Sequence, residues 1–386
     1  MSNDKIVLKG ITWNHSRGFT PMVATAQRFS ELNPQVRIDW EKRSLQEFAD
    51  KPIADLAEAY DLLVIDHPWS GFAAASGVLE PLNSWLSEAF LADQRVNSVG
   101  KSYESYEYDG KQWALAIDAA TPVSAFRRDL LEKAGLEVPR TWDELIAVGR
   151  KGLLVCSAIP LDVYGNFLNL CITDGAELFP NDEEIVDGEA GLLALERLRE
   201  MMSYVPERYY GMNPIAALEE MSSTDEAGYD PYLYGYSNYS RAGYAKRHVD
   251  FCGVVATREG VQPRTMLGGT GLAISGRSQH KEAAAKYAEF VASPEVQRTL
   301  FFYSGGQPGH RSAWLSEECN AFTEGYFKST LPTLDAAFVR PRYAGYLEFQ
   351  DNAGFPIHDF LREGGEAKSV LEAVNHLYRE SRLAIR

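Results

Sequence analysis

The sequence predicts an α/β fold built as two lobes, on three observations. The chain has 386 residues, more than one core of ordinary size holds. From Ile6 to Asp66 strand-like and helix-like segments alternate, the pattern of an α/β lobe with ligand contacts in loops at the carboxyl ends of its strands. The stretch Arg264–Gln297 then reads as a strand–turn–strand–helix unit with a bare backbone, Gly268-Gly269-Thr270-Gly271, at its centre.

Ile6–Trp13 is the first strand, followed by the loop Asn14–Gly18. Thr20-Pro21 opens a helix, because Pro at its first turn follows a hydroxyl residue, and Asn33-Pro34 ends it. Val36–Trp40 alternates apolar and polar residues as a second strand. Ser44–Ala59 reads as one helix, and Tyr60–Asp66 as a continuous apolar strand buried on both faces. Ala114–Asp118 is expected to carry the chain into a second lobe, and Phe251–Ala256 through Thr265 to bring it back. Helices are expected at Ala190–Met202, Pro214–Met221 and Ser369–Arg379. After Thr265–Leu267 and the glycines, Leu272–Ile274 is a further short strand. Ala284, Ala285, Tyr287, Ala288 and Val291 mark an amphipathic helix that stops at Ser293-Pro294-Glu295, which also caps the next one.

Several of these phrases, in this order, resemble the family 1 (sugar-type) extracellular solute-binding proteins of ABC transporters. They are the strand ending in Trp13, the helix ending before Asn33-Pro34, and the strand ending Val64-Ile65-Asp66-His67-Pro68-Trp69. Further on come Gly77-Val78-Leu79-Glu80-Pro81-Leu82, Tyr108–Leu115, Asp129-Leu130 through Trp142–Leu145, the Arg264–Gln297 segment and Glu348-Phe349-Gln350. The resemblance is clearest over residues 5–150 and 250–310. It implies a two-lobed periplasmic-binding-protein-like (type II) fold with a hinge and an interlobe ligand cleft. Lobe one is expected over 1–117 with about 262–312. Lobe two is expected over about 118–261 with 313–386, the C-terminal helices packing across both.

The net charge of −16 and pI of about 5.0 argue against nucleic acid or an anionic membrane as partner, since both need concentrated Lys and Arg. No run of about 18 apolar residues predicts a membrane span. MSNDKIVLKGITW enters a strand with no apolar signal core, so the sequence as written is expected to be cytoplasmic, or periplasmic if a leader has been removed. Cys156, Cys171 and Cys252 sit in apolar company and read as buried thiols, whereas Cys319 lies in a polar stretch.

Candidate ligand residues follow from position and chemistry. Trp13, His15 and Arg17 end the first strand, where an indole face stacks on a sugar ring and the other two supply hydrogen-bond donors. Asp66, His67 and Trp69 end the third, with a helix-capping Asp as the competing reading. Asp118 follows a strand at the expected crossover, for ligand or for the hinge. Tyr164 and Asn166 flank Gly165 in what reads as a turn. Tyr232, Tyr236 and Asn238 belong to a Tyr-rich run that reads either as a half-buried strand face or as a stacking and hydrogen-bonding wall. Gly269 and Thr270 line the glycine-rich strand, which in the resembled family re-enters the first lobe beside the cleft. Arg311 is a candidate carboxylate clamp, or a plain surface arginine.

No HExxH, Gly-x-Ser-x-Gly or P-loop pattern occurs, and the seven histidines are scattered. The expected function is therefore binding of a carbohydrate or similar polar solute, a sugar or sugar acid, by a monomer without cofactor, metal or catalytic residues. An ABC permease is the expected partner if the protein is exported. The alternative is a cytoplasmic enzyme acting on a sugar or glycoside on the same scaffold. Thiaminase-like proteins are similar in fold and use a cleft cysteine, but no cysteine here stands in an activating setting.

Overall fold

The computed structural model describes residues 5–383 apart from Lys51 and Glu259. The first four residues, part of the stretch read above for a leader, lie outside the described residues, as do the last three. The chain divides into two compact units. Unit 1 holds residues up to Ala120, Gly268–Ala321 and Arg342–Ala344; unit 2 holds Thr121–Leu267, Phe322–Pro341 and the chain from Gly345.

In chain order the main strands are β1 Ile6–Trp13, β2 Val36–Arg43, β3 Leu62–Ile65, β4 Leu115–Ala120, β5 Pro122–Phe126, β6 Tyr229–Tyr234, β7 Asp250–Cys252 and β8 Gly268–Ile274. Unit 1 is built on a five-stranded sheet ordered β2-β1-β3-β8-β4. β1 runs parallel to β2 and β3, while β8 is antiparallel to both β3 and β4. Alternate side chains of the inner strands feed two cores. Leu62, Val64, Leu115, Ile117, Leu272 and Ile274 face one way, and Leu63, Ile65, Ala116 and Ala273 the other. The helix Lys281–Ala292 covers the first face through its buried Ala stripe and Tyr287. Tyr287 is fully buried, so its hydroxyl needs partners. It has them: the Trp40 indole donates to it at 3.2 Å, and Thr25 Oγ1 lies 2.9 Å away.

Unit 2 carries the sheet β6-β5-β7, all antiparallel. Its core is aromatic: Tyr164, Phe179, Tyr346, Phe349 and Tyr378 meet mostly edge-to-face or tilted, at 5.3–6.5 Å between ring centroids. The helix Trp142–Arg150 starts with a capping box, in which Thr141 Oγ1 accepts from the Glu144 amide and the Glu144 carboxylate accepts from the Thr141 amide.

The structure corrects several sequence readings. Gly268–Gly271 is not a turn between two strands but the first half of β8, and Thr265–Leu267 lies in unit 2 before it. Gly269 sits at φ +94°, and a Cβ there would lie 2.4 Å from the Asp118 carbonyl, so only glycine fits this irregular pairing. Ser44–Ala59 is two helices, Leu45–Asp50 and Ile53–Ala59, since Pro52 cannot continue the first. The Ser293 hydroxyl donates back to the Phe290 carbonyl rather than capping the next helix. Cys252 is only half-buried, while Cys319 is buried, its thiol 3.6 Å from the Arg298 carbonyl. That packing belongs to unit 1, so residues 313–321, expected in the second lobe, cluster with the first unit.

Candidate functional site

Strand register brings the unit 1 candidates to one edge of the sheet. Trp13 ends β1, Asp66 directly follows the parallel strand β3, and Gly271 pairs with Ile65 at the end of β3. Because β8 is antiparallel, its first residues lie at that same edge, and Thr270 pairs with Asp118 on β4. Trp13, Asp66, Asp118, Gly269 and Thr270 thus share the carboxyl-end edge, where open α/β sheets bind ligands.

Their environments differ sharply. Trp13 is 4% exposed and packs in the core with Met22 and Phe48; a Cβ on Gly18 would lie 2.4 Å from its ring. The loop backbone therefore covers an indole face, and Trp13 is not the open platform expected of it. Its Nε1 is enclosed with no hydrogen-bond partner among the described residues. Arg17 and Asp118 face each other: Nε donates to Oδ2 at 2.8 Å and Nη2 to Oδ1 at 2.5 Å, both residues nearly fully buried. Asp118 lies inside β4 rather than after it, and Arg17 neutralises it. Burial still outweighs the arginine and holds the carboxyl above its ordinary range.

His15 is pushed down to about 3 by burial and by the adjacent Arg17, so its ring is neutral at working pH. Its Nδ1 accepts from the Arg17 amide at 3.0 Å, which puts the ring proton on Nε2. Asp66 keeps part of its surface and lies 3.2 Å from Nδ1 of the buried His67; its carboxylate also accepts from the His67 amide. Trp69, half-buried at the start of the helix Trp69–Ser76, packs edge-on against Phe72 and keeps ring surface open. Thr270 is 6% exposed, and its Oγ1 has no partner among the described residues. Arg311 is half-buried at the start of the short helix Arg311–Trp314, whose first turn His310 caps.

In unit 2 Tyr164 and Asn166 are not in a turn. Both lie inside the helix Pro160–Thr173, which is buried from Val163 onward. Tyr164 belongs to the aromatic core, its hydroxyl 3.4 Å from that of Tyr346. Asn166 instead reaches Cys156, donating to its sulfur at 3.2 Å. Tyr232 lies on β6, Tyr236 and Asn238 just beyond it at the 3-10 turn Ser237–Ser240, and all three are buried. The Tyr232 hydroxyl has no partner among the described residues. Sequence reasoning missed the neighbouring carboxylates. Asp230 accepts from the amides of Ser157, at 3.0 Å, and Tyr232, at 3.1 Å, pinning the irregular part of β6 around Pro231. Asp162 stands in the first turn of Pro160–Thr173 with Oδ2 enclosed and unpartnered among the described residues. Burial pushes Asp230 up to about 7; burial and Asp230 together push Asp162 up to about 8. An Asp next to Pro with Tyr two residues on is a signal that could have flagged Asp230; nothing local flags Asp162.

Burial also pushes the Cys156, Cys171 and Cys252 thiols up, so each stays protonated and none is an activated nucleophile. Among the described residues no group of three His, Cys, Asp or Glu is placed to hold a metal, and no helix is long and apolar enough to cross a membrane.

The model of the family described as bacterial extracellular solute-binding protein matches residues 12–298, well over half of the chain. The chain belongs to that family. Among curated solute-binding relatives, the maltotriose-binding protein of Pyrococcus abyssi is 29% identical over 126 residues, 33% of this chain but only 26% of that protein. Among solved structures, maltose-bound MalE3 of T. maritima superposes with a TM-score of 0.85 at 18% identity, covering 98% of this chain and 100% of the other. A solute-binding protein of Agrobacterium radiobacter K84 in complex with ribitol gives 0.83 at 20%, with the same coverage. These likenesses establish for this solute-binding protein the two-lobed α/β fold of the group.

Proposed function

We propose that this solute-binding protein binds a carbohydrate or polyol outside the cytoplasmic membrane, as a monomer, and hands it to an ABC permease. The observation that carries the reading is a set of enclosed polar atoms without partners among the described residues. Trp13 Nε1 and Thr270 Oγ1 lie at the sheet edge of unit 1, and Tyr232 Oη and Asp162 Oδ2 in unit 2. Leaving such a group buried and unpaired costs about 1–3 kcal/mol each. A polyhydroxylated ligand both donates and accepts hydrogen bonds, so it offsets that cost at whichever of these atoms it meets. The open ring surface of Trp69 adds a face for the apolar side of a sugar. Family membership supports the binding role, and the family's description as extracellular supports the location. Maltotriose, maltose and ribitol, named for relatives and neighbours, set the size range of the first ligands to try.

The test is a thermal-shift screen of mono- and oligosaccharides, polyols and sugar acids, since occupancy raises apparent stability by mass action. Each hit is then incubated with concentrated protein and followed by mass spectrometry. Saturable stabilisation by a sugar or polyol recovered unchanged is the expected result. Turnover of the hit, or stabilisation only by ligands without hydroxyls, overturns it.

A further inference from the structure

Two buried arginines show what a guanidinium group needs in this chain. Arg17, 4% exposed, turns its Nε–Nη2 edge to Asp118 and meets the carboxylate side-on. Arg127, 1% exposed, does the same with Asp129, through bonds of 2.8 Å from Nε and 2.7 Å from Nη2. Arg43 ends β2 and is 7% exposed, yet that edge of its guanidinium meets no carboxylate among the described residues. Its Nη1 donates to the Glu47 carbonyl at 3.0 Å, and its Nη2 reaches the Val64 carbonyl only at 3.5 Å. Its Nε is enclosed with no partner among the described residues. Glu47 and Tyr60 favour its charge, but the exposed Glu47 carboxylate accepts from the Ser44 amide and hydroxyl, and the Tyr60 hydroxyl donates to Glu41. Burial prevails and pushes the guanidinium down to about 10. Trp13 stands opposite Arg43 in the β1–β2 register, and Phe48 packs on both, its ring centroid 5.6 Å from that of Trp13 and 5.0 Å from Arg43 Cζ. Trp13 Nε1 is likewise enclosed and unpartnered among the described residues. Two groups that can only donate thus flank one ring at the carboxyl ends of neighbouring strands.

We propose that Arg43 and Trp13 form a subsite on unit 1 that receives the carboxylate of a sugar acid; this rests on the carbohydrate-binding reading above. A sugar hydroxyl accepts from one of these N–H groups but leaves the buried guanidinium charge without compensation. A carboxylate only accepts, carries the opposite charge, and matches the Nε–Nη2 edge with two oxygens, as Asp118 and Asp129 do on Arg17 and Arg127. An ammonium in place of Arg43 lacks that planar fork. A phosphate group presents similar oxygens on a tetrahedral centre, so the two anions are separated by measurement. Phe48, half-buried, lies over the guanidinium, and its ring turns aside when the carboxylate enters.

The experiment is titration calorimetry on the full chain with glucuronate against glucose, using ribitol and maltose as neutral controls and glucose 6-phosphate as the phosphate probe. At neutral pH glucuronate is expected to bind about tenfold or more tightly than glucose, equivalent to one hydrogen bond to a charged group. Arg43→Met, which keeps the apolar stem, should bring that ratio close to one. Arg43→Lys, which keeps the charge without the fork, should recover only part of it. Trp13→Phe, which removes the indole N–H, should lower it about threefold. Circular dichroism checks that the variants are folded, and the ratio on the unaltered protein tests the subsite without a variant. Equal affinities for glucuronate and glucose, a preference that survives Arg43→Met, or full recovery in Arg43→Lys each overturn the assignment. A ratio unchanged in Trp13→Phe removes Trp13 from the subsite, and a larger gain for glucose 6-phosphate than for glucuronate overturns the carboxylate. If glucose, ribitol or maltose binds and the acid gives no gain, the subsite alone fails. If no sugar, polyol or sugar acid binds, the carbohydrate reading fails and the subsite with it.

Discussion

Replacing Arg17 by Met tests whether the Arg17–Asp118 pair is scaffold. The guanidinium meets the carboxylate through two parallel bonds, at 2.8 and 2.5 Å, with the side chains 4% and 1% exposed. Removing one partner of such a pair costs about 3–5 kcal/mol, because the remaining charge stays buried without compensation. For a unit of this size each kcal/mol lowers the melting midpoint by about 2–4 °C, so Arg17→Met should melt roughly 6–20 °C lower. Asp118 already sits above its ordinary range, and loss of Arg17 should drive it higher still. An acid whose folded pKa is raised destabilises above that pKa and is relieved as pH falls and it protonates. The deficit should therefore be largest near pH 8 and narrow toward pH 5. Adding Asp118→Asn, which removes the stranded charge, should restore most of the loss at pH 8. Scanning calorimetry on the single and double variants decides it. A single-variant cost below about 1 kcal/mol, the range of an exposed pair, would refute the reasoning. So would a deficit that does not change with pH.

Three further outcomes are expected. Trp69→Ala should weaken the best sugar found in the screen about fivefold or more, from loss of a stacking contact worth about 1 kcal/mol beyond buried area; titration calorimetry reads it. Thr270→Val removes an unpartnered hydroxyl at nearly constant shape, so the ligand-free protein should melt at the same temperature or higher while sugar affinity falls; a lower melting point shows that the hydroxyl is satisfied within the fold. Asp162 and Asp230, raised to about 8 and about 7 from an unfolded value near 3.8, hold protons that the unfolded chain releases between about pH 4 and 8. Stability should therefore fall as pH rises through that window, and Asp162→Asn should flatten the decline measured by calorimetry from pH 5.5 to 8.5.

What was legible in the sequence was what local chemistry writes down. Thr20-Pro21 and Asn33-Pro34 bound the first helix where expected, and Ile6–Trp13 is the first strand. The family resemblance rested on such signals in order, and the fold followed. Local chemistry misled where tertiary context overrode it. Gly165 and Asn166 read as turn residues, yet the apolar residues around them bury the whole segment as helix. The glycines of β8 read as a turn, yet they lie in the strand, Gly269 where Asp118's backbone comes too close for a side chain. Arg17 read as a ligand contact and Asp118 as a contact to ligand or hinge, but they lie 101 residues apart in sequence, and only the folded chain shows that they answer one another. Asp162 was missed for the same reason, since its peculiarity, an enclosed Oδ2 with no partner among the described residues, is written in no local pattern.

The two kinds of polar residue at these edges can be told apart by asking what the ligand-free fold already provides. Arg17, Asp118 and Asp230 have charge-assisted or backbone partners at 2.5–3.1 Å; altering them strands a buried group and shows up as lost stability. Trp13 Nε1, Thr270 Oγ1 and Tyr232 Oη have no partner to lose among the described residues, so conservative removal of the latter two should not destabilise the ligand-free protein. Their cost in the ligand-free fold is repaid only when something else supplies the hydrogen bond. A variant that keeps or gains stability but loses affinity therefore identifies a ligand-facing atom, while one that loses both identifies scaffold. Thr270→Val and Tyr232→Phe fall on one side of that division and Arg17→Met on the other, although all of these residues were singled out on similar grounds from the sequence.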